Sequence, residues 1–303
     1  MDMTPNESVY LFSSSQSLHS DMTGPSGRVP VRTTIGKIRA RLRSSTSLRP
    51  SALATFSALL LVLSGCGRSE DAADDGAADT LLALSASDLQ HALPVIAERY
   101  EALTGQSVEI VLGSTGNLAT QIENGAPADV FLAANEAFVA RLEEGGHVAP
   151  GSRRVYGRGR VVLTWSRSAN PADSLASLLD PRFETISMAN PEHAPYGMAA
   201  REALVSAGLL PLVEERLVFA ENVSQAQEFV RSGNADAGLV ALSVVLGDST
   251  ARYIILDESL HKPLRQAGAV ISGGETEAAA ELLDFIMGEE GQAILKQFGF
   301  EPA

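Results

Sequence analysis

Cysteine is the scarcest residue that matters in this 303-residue sequence, because Cys66 is the only one. A single cysteine cannot form an intramolecular disulfide, so a disulfide-stabilised fold and dithiol redox chemistry are excluded. The apolar segment 52–63 near the N-terminus is well short of the roughly 20 residues that a membrane-spanning helix needs. A composition of 45% hydrophobic and 20% charged residues is that of a globular protein with one large or two medium domains.

Sequence motifs for common kinds of catalysis and nucleotide binding are also missing. The chain contains no GxGxxG or GxxxxGK[ST] phosphate loop, no GxSxG nucleophile turn and no HExxH metal motif. Its five histidines are scattered, without the spacing of a metal site. Glu192 and His193 are adjacent, but neighbouring side chains in an extended loop point to opposite sides, which disfavours an acid–base pair.

Basic residues are scarce after residue 65. That part of the chain holds 16 Lys and Arg against 34 Asp and Glu, a net charge of −18. Such a surface argues against nucleic acid or anionic lipid as a partner. A small anion is still a possible ligand, because distant surface charges are screened over a Debye length of about 8 Å.

Residues 1–65 have the features of a secretory signal region. A basic run, "KIRARLRSSTSLR", precedes the short apolar core, and small residues follow it. The sequence "LSGC" resembles the lipobox of bacterial lipoproteins, which predicts cleavage before Cys66 and lipidation of its side chain. The acidic, Gly- and Ala-rich residues 66–79 then form a flexible tether. The alternative is an ordinary signal peptide with an incidental cysteine.

From residue 81 onward, strand-like and helix-like segments alternate. The order β-α-β-α-β-α appears once between residues 81 and 146, and a similar pattern restarts near residue 155. Alternation of this kind predicts an α/β fold in which mainly parallel sheets are flanked by helices. Two such units predict two lobes joined by crossing strands. We place residues 80–160 and 268–303 in lobe 1 and residues 161–267 in lobe 2.

Four predicted strand-to-helix loops share one chemistry. They read "SASDLQ", "GSTGNL", "EHAPYG" and "AENVSQAQ", and they place hydroxyl or small residues at helix N-termini without any Lys or Arg. Free backbone amides and the positive end of the helix dipole favour an anion at such places. The alternative is simple helix capping, which also prefers Ser, Thr, Asp and Asn. Two loops in each lobe favour an anion site between the lobes.

The chain resembles the periplasmic molybdate-binding proteins of ABC importers. The resemblance runs in order from about residue 81 to residue 300, and it lies in "SASDLQHALPVIAERYEALTG", "GSTGNLATQIENGAPADVFLAA", "NPEHAPYGMAAREAL", "ENVSQAQEFVRSGNADAGLVALS" and "FGF". It implies a two-lobed periplasmic binding protein fold of type II. Such a protein closes on a bare tetrahedral oxyanion, held by backbone amides and hydroxyls rather than by direct metal ligands.

Carried over by motif, the resemblance implies five oxyanion-binding residues, namely Ser87, Ser114, Thr115, Tyr196 and Val223. The expected contributions of Tyr196 and Val223 are their backbone amides. One departure stands out. Some members donate a Tyr hydroxyl from the strand that here reads "GLVALS", where the matching residue is Ala241. The phenol of Tyr196 is a candidate replacement for that donor.

We therefore expect a non-catalytic binding protein, without a cofactor, that captures molybdate and also tungstate. It would deliver the oxyanion to an ABC permease with its ATPase, as a monomer in the periplasm anchored to a membrane through Cys66. One alternative is a binding protein for another oxyanion, such as sulfate or phosphate. Another is a periplasmic hydrolase that uses Ser87 or His193.

Overall fold

The computed structural model describes residues 80–166 and 171–303. The predicted signal region, the tether and the lipidation site at Cys66 lie outside these residues. Within the described part of the chain, none of the helices combines the length and the hydrophobicity needed to cross a membrane.

Ten strands and nine helices make up the described chain. The strands are β1 (Leu81–Ala86), β2 (Val108–Gly113), β3 (Val130–Ala133), β4 (Arg154–Gly159), β5 (Val161–Trp165), β6 (Ile186–Ala189), β7 (Leu217–Ala220), β8 (Ala237–Ala241), β9 (Arg252–Ile255) and β10 (Leu264–Val270). The helices are α1 (Ala92–Thr104), α2 (Thr115–Glu123), α3 (Glu136–Glu144), α4 (Pro195–Ser206), α5 (Leu210–Val213), α6 (Val223–Arg231), α7 (Leu242–Val245), α8 (Thr276–Met287) and α9 (Glu289–Gln297).

The strands form two five-stranded sheets, one in each lobe. The order is β2-β1-β3-β10-β4 in the first sheet and β7-β6-β8-β5-β9 in the second. In the first, β1 is parallel to β2 and β3, whereas β10 runs antiparallel to β3 and β4. In the second, β6 is parallel to β7 and β8, whereas β5 runs antiparallel to β8 and β9.

Both sheets are more mixed than the predicted mainly parallel arrangement. The antiparallel pairs involve β4, β5 and β10, which lie where the chain passes from one lobe to the other. A strand that enters a sheet from the opposite lobe runs antiparallel to its neighbours there. β4 ends at Gly159 and β5 begins at Val161, on either side of the boundary predicted after residue 160. β10 already belongs to the first sheet at Leu264, so the backbone of residues 264–267 pairs with lobe 1, while the Leu264 side chain packs in the lobe 2 cluster. A strand pattern in the sequence does not reveal which sheet supplies its partners.

Helices cover both sheets and bury three apolar clusters. One cluster fills lobe 2, and the other two lie on the two faces of the first sheet. Near the C-terminus α8 and α9 are separate helices, because Gly288 between them has an extended backbone with ψ near 172°. The lobe 2 cluster also includes Ala86 and Ala134 from lobe 1, so the lobes contact each other next to the loops that carry the predicted site.

Candidate functional site

The four predicted loops meet at one cavity between the lobes. All five predicted oxyanion-binding residues line it, and so does Asp88. The lining residues are Ala86, Ser87, Asp88, Gly113, Ser114, Thr115, Ala134, Ala194, Pro195, Tyr196 and Val223. None of these described residues is a Lys or an Arg.

The cavity is small and largely enclosed by buried residues. Only about 10 Å³ of the cavity can hold the centre of a water molecule, whereas pockets for organic ligands typically measure about 300–1,000 Å³. Ser87, Thr115, Tyr196 and Val223 are each no more than 4% exposed. The cavity is therefore too small for an organic substrate of ordinary size.

Three helices begin at the cavity wall. α2 starts at Thr115, α4 at Pro195 and α6 at Val223. The amides of a helix's first turn have no acceptor inside the helix, and the helix dipole adds positive potential there. In α4, proline occupies the first helical position, where its missing N–H costs nothing and its fixed φ favours the helix. The N-terminal amides of α2, α4 and α6 thus supply positive potential without a charged side chain.

The hydroxyl of Thr115 is oriented by the backbone of lobe 1. Its Oγ1 accepts a hydrogen bond from the Ala134 amide at 3.1 Å. A hydroxyl carries one donor and two acceptor sites, so this bond uses an acceptor and leaves the proton available. Thr115 can therefore donate a hydrogen bond to an anion in the cavity.

Ser87 joins the two lobes through its backbone. Its carbonyl accepts a hydrogen bond from the Ser224 hydroxyl of α6 at 2.7 Å. The Ser87 side chain is buried, and its hydroxyl forms no hydrogen bond with any other described residue. That hydroxyl is available as a donor to a ligand.

Ser114 contacts the opposite lobe through His193. The Ser114 Oγ lies 2.7 Å from His193 Nδ1, and the Gly116 amide donates to the His193 carbonyl at 2.8 Å. A side chain on Gly116 would place its Cβ 2.6 Å from that carbonyl oxygen, so the close approach requires glycine. Ser114 can donate to an anion only when His193 carries its proton on Nδ1. His193, which the sequence suggested only for the hydrolase alternative, thus has a structural role in joining the lobes.

The Tyr196 phenol lies at the junction of the two lobes. Its hydroxyl accepts a hydrogen bond from Gln266 Nε2 at 3.1 Å. It also packs against Gly159, where any side chain would collide with it. Because the hydroxyl uses an acceptor site in the bond to Gln266, its own proton is left for the hydrogen bond with the Asp88 carboxyl. The replacement of a donor missing at Ala241 by the Tyr196 phenol stays a prediction.

Asp88 is the feature of the cavity that the sequence analysis did not single out. Its carboxyl is 1% exposed; Oδ2 accepts from Gln266 Nε2, while Oδ1 is buried without a partner among the described residues. Burial raises the pKa of Asp88 from its ordinary 3.8 to about 7, despite opposing hydrogen bonds from Gln266 and Tyr196. The Tyr156 hydroxyl donates to Gln266 Oε1 at 2.9 Å. An acidic side chain thus lies in a cavity whose other polar groups favour an anion.

Asp88 and Gln266 could not be identified from the sequence alone. Asp88 follows Ser87 directly before a helix, where an acidic residue ordinarily caps the helix and contacts solvent. Gln266 lies 178 positions further along the chain, in a strand whose alternation gives no sign of a polar partner. Only the packing of β10 against the loop after β1 brings the two together.

Comparison with known proteins places this arrangement in a defined family. Residues 81–301 match the family described as "Bacterial extracellular solute-binding protein". The match covers both lobes and every residue that lines the cavity.

Individual relatives agree with the family match. The chain is 33% identical over 225 residues to the molybdate-binding protein ModA of Rhodobacter capsulatus, covering 74% of this chain and 89% of that protein. It is 36% identical over 210 residues to ModA of Azotobacter vinelandii, covering 68% of this chain and 83% of that protein. The solved periplasmic molybdate-binding protein of Azotobacter vinelandii superposes with a TM-score of 0.70 at 32% identity, covering 74% of this chain and 99% of that structure.

Proposed function

We propose a function for this chain from one premise: it belongs to the bacterial extracellular solute-binding proteins. The family resemblance and the two-lobed binding-protein fold expected from the sequence are thereby confirmed. Membership also makes the chain a binding protein, not an enzyme, and places its work outside the cytoplasm. Within this family we propose that it captures molybdate, and tungstate as well, and delivers the oxyanion to an ABC permease with its ATPase.

The observation that carries this proposal is the donor set of the cavity. Ser87, Ser114, Thr115, Tyr196 and Val223 come from four loops and line one small space, and none of its described lining residues is a Lys or an Arg. Backbone amides and hydroxyls in a closed cavity bind a dianion through charge-assisted hydrogen bonds, each contributing roughly 1.5–3 kcal/mol. The names of the relatives support molybdate as that dianion.

Cavity size would provide the selectivity. Molybdate and tungstate are larger than sulfate, so donors set at the distance for the larger ions do not all reach the smaller one. Each donor left unpaired in the closed cavity costs about 1–3 kcal/mol. Molybdate and tungstate have nearly the same size, so we expect similar affinities for both.

Titration calorimetry with four oxyanions tests the ligand assignment. We expect molybdate and tungstate to bind tightly and sulfate and phosphate to bind at least about tenfold more weakly, because one unpaired donor already has that effect. Sulfate binding as tight as molybdate binding would contradict the assignment. Preferential phosphate binding would instead support the other oxyanion alternative.

Two further proposals concern how the protein is held and in what state it works. We propose that it acts as a monomer, since one chain supplies every residue lining the cavity. We also propose that Cys66 is lipidated and anchors the protein to a membrane through the tether 66–79. The support for the anchor is the sequence "LSGC" after a basic and then an apolar segment.

A further inference from the structure

A buried carboxyl group inside an anion site poses an electrostatic problem. Asp88 lines the cavity, and an ionised carboxylate there would repel a dianion strongly, because little water remains to screen the two charges. A neutral carboxylic acid would not repel it. A neutral acid also has an O–H group that can donate a hydrogen bond.

The hydrogen bonds of Asp88 identify the oxygen that can carry this proton. Oδ2 accepts from Gln266 Nε2, so it serves as an acceptor. Oδ1 is buried and has no partner among the described residues. A buried polar atom without a partner costs free energy unless a ligand satisfies it. Oδ1 is thus placed to bear the acid proton and to donate it to a cavity ligand.

We propose that Asp88 is a proton-linked ligand of this site, whose neutral carboxylic acid is held by Gln266 through Oδ2 and donates a hydrogen bond from Oδ1 to the bound oxyanion. The inference rests on the proposed function and adds a specific mechanism to it. Binding then requires one proton on Asp88. The raised pKa of Asp88, about 7, means that the free protein holds this proton at mildly acidic pH and loses it at alkaline pH.

The groups nearest to Asp88 do not titrate in the same range. Tyr156 of β4 and Tyr196 of α4 have pKa values raised well above the ordinary 10.0 by burial and by the charge of Asp88, so both stay neutral. Gln266 of β10 does not ionise. Below about pH 9, Asp88 is therefore the group of this buried network whose charge changes.

Other titratable groups lie at the edge of the cavity or on the elements that pack around it. His193 contacts Ser114 across the lobes. His91 contacts Gln90 at 3.1 Å and stacks on Phe298. On α6, Glu228 and Arg231 pair with each other at 2.6 Å. Of these, His193 is the one that contacts a residue lining the cavity, so the experiment must separate it from Asp88.

Calorimetric titration with molybdate between about pH 6 and about pH 9, in pairs of buffers with different ionisation enthalpies, counts the protons bound. For the unmodified protein we expect uptake that approaches one proton per molybdate above about pH 8, and a Kd that rises about tenfold per pH unit there. For Asp88→Asn we expect no proton uptake and a Kd that does not vary with pH. The amide can still donate to the oxyanion and accept from Gln266.

Asp88→Asn keeps His193, which separates the two sources. A pH dependence that persists in Asp88→Asn overturns the proposal and points to His193. Glu192→Gln is the matched control, because it removes one exposed carboxylate beside His193 and should keep the proton uptake of the unmodified protein. If Asp88→Asn does not fold, infrared difference spectra of the unmodified protein decide. Molybdate should then produce a protonated-carboxyl band above about pH 8, which histidine cannot give.

The outcomes also separate this inference from the proposed function. If molybdate and tungstate fail to bind even near pH 6, the ligand assignment fails. If molybdate binds tightly without proton uptake over the whole range, the ligand assignment stands and the role of Asp88 is overturned.

Discussion

Hydrogen bonds within the protein hold Ser87, Thr115 and Tyr196 in place around the cavity. Thr115 accepts from Ala134 and keeps its proton for another acceptor. Tyr196 accepts from Gln266 and is held by a second hydrogen bond to Asp88. Ser87 is held through its carbonyl and keeps its side chain unbonded. The lobes thus orient donors toward the cavity before a ligand arrives, which lowers the cost of ordering them on binding.

Removing these hydroxyls should weaken oxyanion binding. Ser87→Ala and Thr115→Ala each remove one donor to the proposed dianion, and we expect each to cost about 1–3 kcal/mol, or roughly 5- to 150-fold in Kd. Titration calorimetry with molybdate measures the change. Ser174→Ala, in an exposed turn of lobe 2, is the control and should bind normally. Unchanged affinity in both cavity variants would mean that the oxyanion binds elsewhere.

Asp88 also makes folding stability depend on pH in the free protein. Its folded-state pKa is raised from 3.8 to about 7. The contribution of Asp88 to the free energy of unfolding is therefore largest below about pH 4, falls as the pH rises toward 7, and levels off above it. The full loss is at most about 4 kcal/mol. Asp88→Asn has no such loss, so its stability relative to the unmodified protein should be greater at pH 8 than at pH 5.

Urea denaturation of both proteins at the two pH values, without ligand, measures this difference. Asp173→Asn is a useful comparison, because that carboxyl is exposed and its pKa is lowered by hydrogen bonds from Ser177 and Ser174. Its removal should change stability by nearly the same amount at pH 5 and pH 8, because a carboxyl whose pKa lies below 3.8 is ionised at both. A constant stability gap between Asp88→Asn and the unmodified protein at both pH values would contradict a raised pKa.

At the scale of elements, the site depends on helix N-termini from one lobe meeting loops of the other. α6 donates through Ser224 to the Ser87 carbonyl, and α2 approaches the loop before α4 through Gly116 and His193. These hydrogen bonds exist only while the lobes are together. They therefore stabilise the closed arrangement independently of direct contact with a ligand.

Ser224→Ala tests whether a hydrogen bond between the lobes contributes to binding without contacting the ligand. Ser224 does not line the cavity, yet we expect its removal to cost about 0.5–1.5 kcal/mol, or roughly two- to tenfold in Kd for molybdate, because the closed form loses one hydrogen bond. Ser232→Ala is the matched control, since that hydroxyl bonds to Glu228 within lobe 2. Equal affinities of the two variants would argue against a contribution of this bond to closure.

The elements also show where sequence information ends. Gly113 and Ser114 before α2 and the proline that begins α4 follow local rules for helix starts, so the loops around Thr115 and Tyr196 could be identified before the structure. Partners far apart in the sequence could not, because the contacts of Asp88 with Gln266 and of Ser114 with His193 join distant positions. For the same reason the sequence placed residues 264–267 in the wrong lobe.

At the scale of the whole molecule, the net charge of the protein and the charge of the proposed ligand are both negative. The chain after residue 65 carries a net charge of −18, while the proposed ligand is a dianion. Over a Debye length of about 8 Å most of that surface charge is screened. The helix N-termini and hydroxyls act within hydrogen-bond distance, so the local dipoles determine binding.

The same acidic surface makes a strong prediction about the membrane. Stable anchoring by lipid chains normally needs two signals, such as two chains or one chain with a polybasic patch, and a surface with 16 basic and 34 acidic residues offers no attraction to anionic lipid. All membrane attachment of the processed protein should therefore depend on lipidation at Cys66. We expect Cys66→Ser to move the protein from the membrane to the soluble fraction completely rather than partly, as measured by fractionation of the expressing cells. The released protein should bind molybdate with the affinity of the anchored form, which shows that it is folded. Retention of a folded Cys66→Ser variant in the membrane fraction would contradict the lipid anchor.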